Sequence, residues 1–310
     1  MSNIQAHIPS DDVQQMGDAD LKLIDSHQHV FWHGRDDAGL IADMDQYCIE
    51  KAWVLTSERP ASIAKNLAPY DPRWKGGDDN APTLPLDGVI EACRRYPDRL
   101  IPGYCPNPLD PRAIQKLSGA IDIFGIRVLG EWKFQTLFDD PRCIEMFRFA
   151  GSKGLPVVLH LDIPYVPPKG GTYDPNWIGG TIHNLERALV ACPDTIFIGH
   201  APGFWRELSA DADEYPQVSF RDPLVRGGRV PDMFDQYANL RADLSAGSGL
   251  RALTADPEFS REMLIAYADR FLFGRDYYGG ELLAFLGSLD LPEDVWRKIG
   301  RENAEGLVPV

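Results

Sequence analysis

The 310 residues suffice for one large α/β barrel or two ordinary domains. With 46 acidic and 31 basic residues the net charge is −15, so the surface repels nucleic acid and anionic membranes and argues against both as partners. Five scattered cysteines without a CxxC pair argue against a disulfide framework or a zinc knot and fit a reducing compartment. Residues 1–20, "MSNIQAHIPSDDVQQMGDAD", are polar and acidic and read as a flexible tail rather than a signal peptide. No apolar run approaches the ~18 residues that span a membrane. The expectation is a cytoplasmic protein.

From residue 21 onward, short apolar runs alternate with helix-like segments. "LKLIDSH" (21–27) reads as a first strand, and "IADMDQYCIEK" after it has helical spacing. "AWVLTS" (52–57), helical "LDGVIEACRRYPD" and "RLIPGYC" (99–105) follow. "DPRAIQKLSGAID" is a helix with Asp110 as its cap, and "FGIRVLGEW" (124–132) the next strand. "DPRCIEMFRFAGSKG" is a helix that Gly151 and Gly154 can end. "LPVVLHLD" (155–162), "TIFIGHAPG" (195–203), "NLRADLSAG" (239–247) and "RFLFGRDYY" (270–278) complete eight strands, with a helical stretch before the last.

Eight alternating units predict a closed parallel (β/α)₈ TIM barrel, one α/β domain over 21–310. A doubly wound sheet is the competing fold, but no GxGxxG follows the first strand. Connections into strands are short. Those at 58–85, 163–179 and 203–237, which leave strands, are long, and in this architecture such loops frame the active site. They carry Arg73, Trp74, Tyr173, Trp177, Trp205, Arg226 and Arg229.

The strand ends carry the chemistry. "LIDSHQHVFWHG" places His27, His29 and His33 within seven positions, and residues two apart share a strand face, so His27 and His29 can both enter the barrel mouth. The fourth strand ends near Glu131, the fifth in His160, the sixth in His200 and the eighth in Asp276. Imidazole and carboxylate together suit a divalent metal. Glu131 could equally pair with Lys133 or a loop arginine, and Arg275 should face away from Asp276 in a structural role. His33, Arg73, Trp74, Trp177 and Trp205 are candidate substrate contacts, although loop aromatics usually serve packing.

At these residues the sequence resembles the amidohydrolase superfamily, in its amidohydrolase-related (amidohydrolase 2) branch of metal-dependent hydrolases and decarboxylases. "IDSHQHVFW" looks like its first-strand signature, "VVLHLD" and "IFIGHAPG" like its histidine strands, "RFLFGRDYY" like its aspartate motif and "WRKIGRENAEGL" like its closing helix. The resemblance implies one divalent ion, zinc first and manganese second, held by His27, His29, His160 and Asp276. It leaves His200 off the ion as a catalytic residue beside Asp276. Glu131 could bridge a second metal. Arg275 and Tyr278 depart from the motif, which usually carries a small residue and often proline there.

The resulting expectation is a hydrolase of an amide, ester or lactone in a small cyclic or aromatic molecule. Metal-dependent decarboxylation of an aromatic or unsaturated acid is the alternative, and some lactonases of this branch work without metal. A barrel kept only for binding or as a scaffold should have eroded ligand positions, whereas all five are intact. A homo-oligomer is also open.

Overall fold

A computed structural model of the chain describes residues 21–60, 82–84, 86–163, 177–215 and 221–309. Ten strands occur in it: β1 (Leu23–Gln28), β2 (Ile49–Val54), β3 (Ser57–Pro60), β4 (Pro82–Leu84), β5 (Leu100–Pro102), β6 (Leu129–Trp132), β7 (Val157–His160), β8 (Phe197–His200), β9 (Leu240–Asp243) and β10 (Phe271–Leu272). β3 and β4 pair antiparallel. The other eight are the staves foreseen from the sequence with shifted bounds: β2 begins at Ile49, inside the stretch read as the helix "IADMDQYCIEK", and β6 begins only at Leu129, since Phe124 still belongs to the helix Ala113–Phe124.

Parallel pairing runs β1-β2-β5 in one sheet and β6 through β10 in a second. Two seams join them. Gly103 bridges Val128 in parallel, with Tyr104 N–H donating to Val128 O at 3.0 Å. At the other seam Ser26 N–H donates to Phe273 O at 2.9 Å, and Asp276 N–H to His27 O at 2.8 Å. First and last staves therefore meet, and the barrel is closed.

Alternation along the staves builds two apolar layers. Ile24, Trp53, Leu55, Ile101, Val128, Val158, Ile198 and Leu272 fill the interior, and Ala304 and Val308 from the last helix close its floor. The opposite faces, Leu23, Val157, Phe197 and Leu240 among them, pack against the helices. Full burial of each large side chain contributes about 1.5–3 kcal/mol.

Sequence chemistry sets the helix starts. Asp36 accepts from Gly39 N–H, Asp140 from Arg142 N–H and Asp256 from Phe259 N–H, and a proline follows each of the last two. Asn303 docks the closing helix by donating to Ala268 O and Phe271 O, both at 2.7 Å.

Some expectations are corrected. Asp110 accepts from Arg112 N–H in the turn before its helix, which starts only at Ala113. Gly151 lies inside the helix Pro141–Ser152, where an added Cβ would sit 2.3 Å from Thr195 Oγ1; only Gly154, at φ +69, follows its end. The segment read as loop 203–237 contains the helix Arg229–Gln236, whose Val230, Met233 and Phe234 form one buried stripe.

Candidate metal centre

Every stave except β2 and β5 brings a polar group to the C-terminal mouth. His27 lies in β1 and His29 just beyond it; Glu131 lies in β6; His160, His200 and Asp243 each occupy the last position of β7, β8 and β9; Asp276 follows β10. His160 and His200 are register partners, so they stand at one level. His27, His29, Glu131, His200 and Asp243 are essentially without solvent exposure.

One set joins the first and last staves. His29 Nε2 lies 3.2 Å from Asp276 Oδ1, which is 3.9 Å from His27 Nε2. Donor atoms of His27, His29 and Asp276 all lie within 4.8 Å of one another. Glu131 Oε2 adjoins them, 3.2 Å from His29 Nε2 and 3.6 Å from His27 Nε2. Two further sets, His27–His200–Asp243 and Glu131–His160–His200, meet the same distance criterion.

The outer nitrogens are taken. His27 Nδ1 donates to Asp243 Oδ2 at 2.9 Å, His29 Nδ1 to Leu55 O at 2.9 Å, and His200 Nδ1 to Asp243 Oδ1 at 3.1 Å. Ser245 Oγ donates to the same Asp243 oxygen. A ring that gives its Nδ1 proton to an oxygen turns the lone pair of Nε2 toward the centre, the orientation that outer partners impose on metal-binding histidines. The inward atoms His27 Nε2, His29 Nε2, His200 Nε2 and Asp276 Oδ1 are buried with no hydrogen-bond partner. Orphaned buried acceptors are costly, and several facing one point suit a cation. The donor set thus fits a divalent ion.

The surrounding carboxylates favour positive charge at the centre, whether a proton or a cation. Burial disfavours a charged His27, but Asp243, Asp276 and Glu131 outweigh it and hold the ring well above the usual imidazole value. Burial and the neighbouring His27 keep His200 below that value although Asp243 pulls the other way, so it is the neutral ring of the pair. Burial opposes ionisation of Asp276 and Glu131 too; His27 and His29 for the first, Lys133 and His27 for the second, hold them ionised.

The sequence-derived residues separate into groups. His27, His29, Asp276, His200 and Glu131 come together. Lys133 Nζ is 2.7 Å from Glu131 Oε2, the pairing weighed from the sequence. His160 joins through Glu131: its Nδ1 meets Glu131 Oε1 at 2.7 Å and its Nε2 meets Asp162 Oδ2 at 3.0 Å, so both nitrogens face carboxylates. His33 sits at the rim, exposed, its ring 4.6 Å from Trp32 and 4.7 Å from Tyr277. Trp177 is half-buried beside Ile178, whose backbone pairs with Asp162.

Trp205 does not face the mouth. It is fully buried against Phe204, and its Nε1 lies near the backbone of Gly249, so it packs the wall. Arg226 pairs with Asp256, Glu258 and Glu262, and Arg229 with Glu207 and Asp213, so neither points into the centre. Arg73, Trp74 and Tyr173 lie outside the described residues. Sequence reasoning passed over Asp243 and Asp162. Asp243 had a usable signal: it ends its strand as His160 and His200 end theirs.

The sequence matches the profile of the amidohydrolase family over residues 24–310. A search of the curated proteins finds no significant match. Among solved structures the chain is similar to 2,6-dihydroxybenzoate decarboxylase from Rhizobium, with a TM-score of 0.56 and 16% identity over 92% of this chain and 98% of that one. It is similar to 5-carboxyvanillate decarboxylase from Novosphingobium aromaticivorans, complexed with manganese and 4-hydroxy-3-methoxy-5-nitrobenzoic acid (TM-score 0.51, 16% identity, 86% of this chain, 78% of that one). A probable 2-pyrone-4,6-dicarboxylic acid hydrolase from Acinetobacter baumannii gives a TM-score of 0.54 at 14% identity over 93% and 99%. At such identities these likenesses establish the TIM-barrel fold. The profile match, running from the first stave through the last, places the chain in the amidohydrolase family of enzymes.

Proposed function

We propose that the chain is a metal-dependent hydrolase that cleaves an amide, ester or lactone in a small cyclic or aromatic molecule. One observation carries this reading. His200, the neutral ring, keeps a buried Nε2 with no hydrogen-bond partner 3.8 Å from Asp276 Oδ2, while Asp243 and Ser245 fix its Nδ1 side. A hydrogen-bond acceptor oriented in this way beside a ligand cluster suits the alignment of a water whose proton passes to Asp276.

His27, His29 and Asp276 would hold the ion, with Glu131 beside them and His160 joined to the set through Glu131. Zinc is the first choice and manganese the second, since imidazole and carboxylate accept both. A bound divalent ion supplies Lewis acidity, polarising a carbonyl and lowering the pKa of water. Asp276, held ionised, accepts a proton at its carboxylate and returns it to the leaving group. His200 Nε2 accepts a hydrogen bond from the attacking water, and Asp243 keeps the ring in the tautomer that does so. Trp32 lies between the centre and the rim, its ring 5.0 Å from His29 and 4.6 Å from His33, with Tyr277 beyond, so aromatic faces lie close to the ligand candidates.

Decarboxylation of a small aromatic acid is the second reading. Two of the similar structures are of decarboxylases, and Lys133 beside Glu131 is a cation that a substrate carboxylate could meet. Aryl carboxylic acids and lactones assayed with zinc- or manganese-loaded protein separate the two. Acid release in a pH-stat without CO₂ supports hydrolysis. CO₂ evolution overturns hydrolysis in favour of decarboxylation. Turnover undiminished after complete metal removal sinks both in favour of a metal-free lactonase.

A further inference from the structure

Arg275 immediately precedes Asp276, and its side chain leaves the barrel interior. It is buried between two carboxylates, its Nε 2.8 Å from Asp25 Oδ2 and its Nη1 2.7 Å from Asp43 Oδ2. Asp25 does more than neutralise it. Its Oδ1 accepts from His27 N–H at 3.1 Å and from Arg275 N–H at 3.0 Å. Its Oδ2 also accepts from Gln28 Nε2 at 2.9 Å, and that amide reaches Tyr277 O at 2.6 Å. One carboxylate thereby ties the backbone that bears His27 to the backbone that bears Asp276.

The turn after β10 is pinned on both sides of Asp276. Arg275 Nη1 donates to Gly279 O at 3.1 Å, and Gly279 N–H donates to Asp43 Oδ1 at 3.1 Å. Residues 275 and 279 are thus fixed outward, toward Asp43 on the helix Asp37–Gln46, and the carbonyl of Tyr277 is held by Gln28. Asp276 is left with φ +50, a left-handed conformation that a residue with a Cβ adopts at a cost. That conformation turns its carboxylate to His27 and His29. The seam is tight: a Cβ on Gly274 would lie 3.0 Å from Ser26 Oγ and 3.2 Å from His27 Cβ.

We infer that Arg275 is a positioning residue whose clamp on Asp25 and Asp43 sets the distance between the ligands contributed by the first and last staves. This rests on the metal-centre reading of His27, His29 and Asp276. Arginine suits the task because its planar fork meets two carboxylates and a carbonyl at fixed angles, which an ammonium group cannot do. The clamp acts through the backbone, so its loss should loosen the ligand set without removing a ligand.

The test is zinc affinity of metal-free protein, measured by competition with a chromophoric chelator, for wild type, Arg275→Met, Arg275→Lys and Asp43→Asn. Loss of an outer partner of a metal ligand typically weakens metal binding 10–100-fold. We expect about that loss in Arg275→Met, less in Arg275→Lys, and a smaller zinc-induced rise in Tm in both. Arg229→Met, which breaks a distant pair with Glu207, serves as the control and should lower Tm with zinc affinity unchanged. Zinc affinities within twofold of wild type for folded Arg275→Met overturn the inference. If that variant does not fold, the same result in Arg275→Lys and Asp43→Asn does so. A wild-type protein that binds no zinc and no manganese defeats the metal-centre reading itself, a result distinct from equal binding in all variants.

Discussion

Asp243 receives His27 and His200 on separate oxygens, Oδ2 at 2.9 Å and Oδ1 at 3.1 Å. One carboxylate therefore orients both a ligand candidate and the ring proposed to act on substrate. Asp243→Asn offers an NH₂ group to one of the two rings and reverses its tautomer. Metal affinity is expected to fall about 10–100-fold, and kcat by about 10²–10⁴-fold. Chelator competition and steady-state kinetics check this; unchanged values for both would remove Asp243 from the centre.

Metal removal gives a second check. Exhaustive chelation should abolish turnover, and zinc or manganese should restore it. A ligand at a hundredfold excess over its Kd stabilises the folded state by about 2.7 kcal/mol, so Tm should rise by several degrees on reloading. His29→Ala should fold and lose both the response and the activity. A response retained by His29→Ala would show that the ion binds elsewhere.

Packing beside the centre is sensitive to one methyl group. A Cβ on Gly199 would sit 2.3 Å from Phe204 Cε2, in a fully buried ring. Gly199→Ala should cost about 1–3 kcal/mol by overpacking and displace His200, the next residue. Chemical denaturation together with kcat measures both effects; a variant as stable and active as wild type would show that Phe204 can retreat.

Much of this architecture is legible in the sequence. Apolar runs ending in histidine are unusual, and the period-two relation of His27 to His29 fixed their common face. Asp243 lies within a stretch read as a strand, 239–247, but Leu244 follows it and Arg241 precedes it, so the sequence does not mark where the strand ends or single out Asp243 as its last residue. The β3–β4 hairpin escaped because Pro60 and Pro82 argue against strands, which prolines enter only at edges. Trp205 misled because aromatic content alone cannot separate a rim residue from a wall residue. The Asp25–Arg275–Asp43 clamp joins positions that no local pattern connects.

Stability should fall at both extremes of pH. Arg301 holds Glu50, and Arg226 holds Asp256, below the usual carboxylate range. Such groups contribute fully above their unfolded values near 4 and lose the contribution as pH drops through the depressed folded values. Each exposed pair is worth about 0–1 kcal/mol. Burial pushes the Cys93 thiol up to about 12. Its contribution is complete below the unfolded value of about 9 and is lost as pH rises toward the folded one. Melting of the metal-free protein should show a plateau near neutrality; a Tm rising steadily below pH 4 would contradict the sign.

All five cysteines are free, and only Cys48 is exposed; Cys93 is half-buried and the other three are buried. A thiol reagent at pH 8 should therefore titrate one group quickly, Cys93 slowly, and the full five only in denaturant. Three or more fast thiols would contradict the burial pattern.

The closure of the barrel through Ser26 and Phe273 has a consequence for biosynthesis. Asp276 is synthesised about 250 positions after His27. Bringing such distant points together carries the loop-closure entropy of the long stretch between them, and a nascent fragment lacking the last stave would offer a cation only part of the ligand set. On the metal-centre reading, ion acquisition would follow closure of the barrel, and the ion would act as a rivet between its first and last staves.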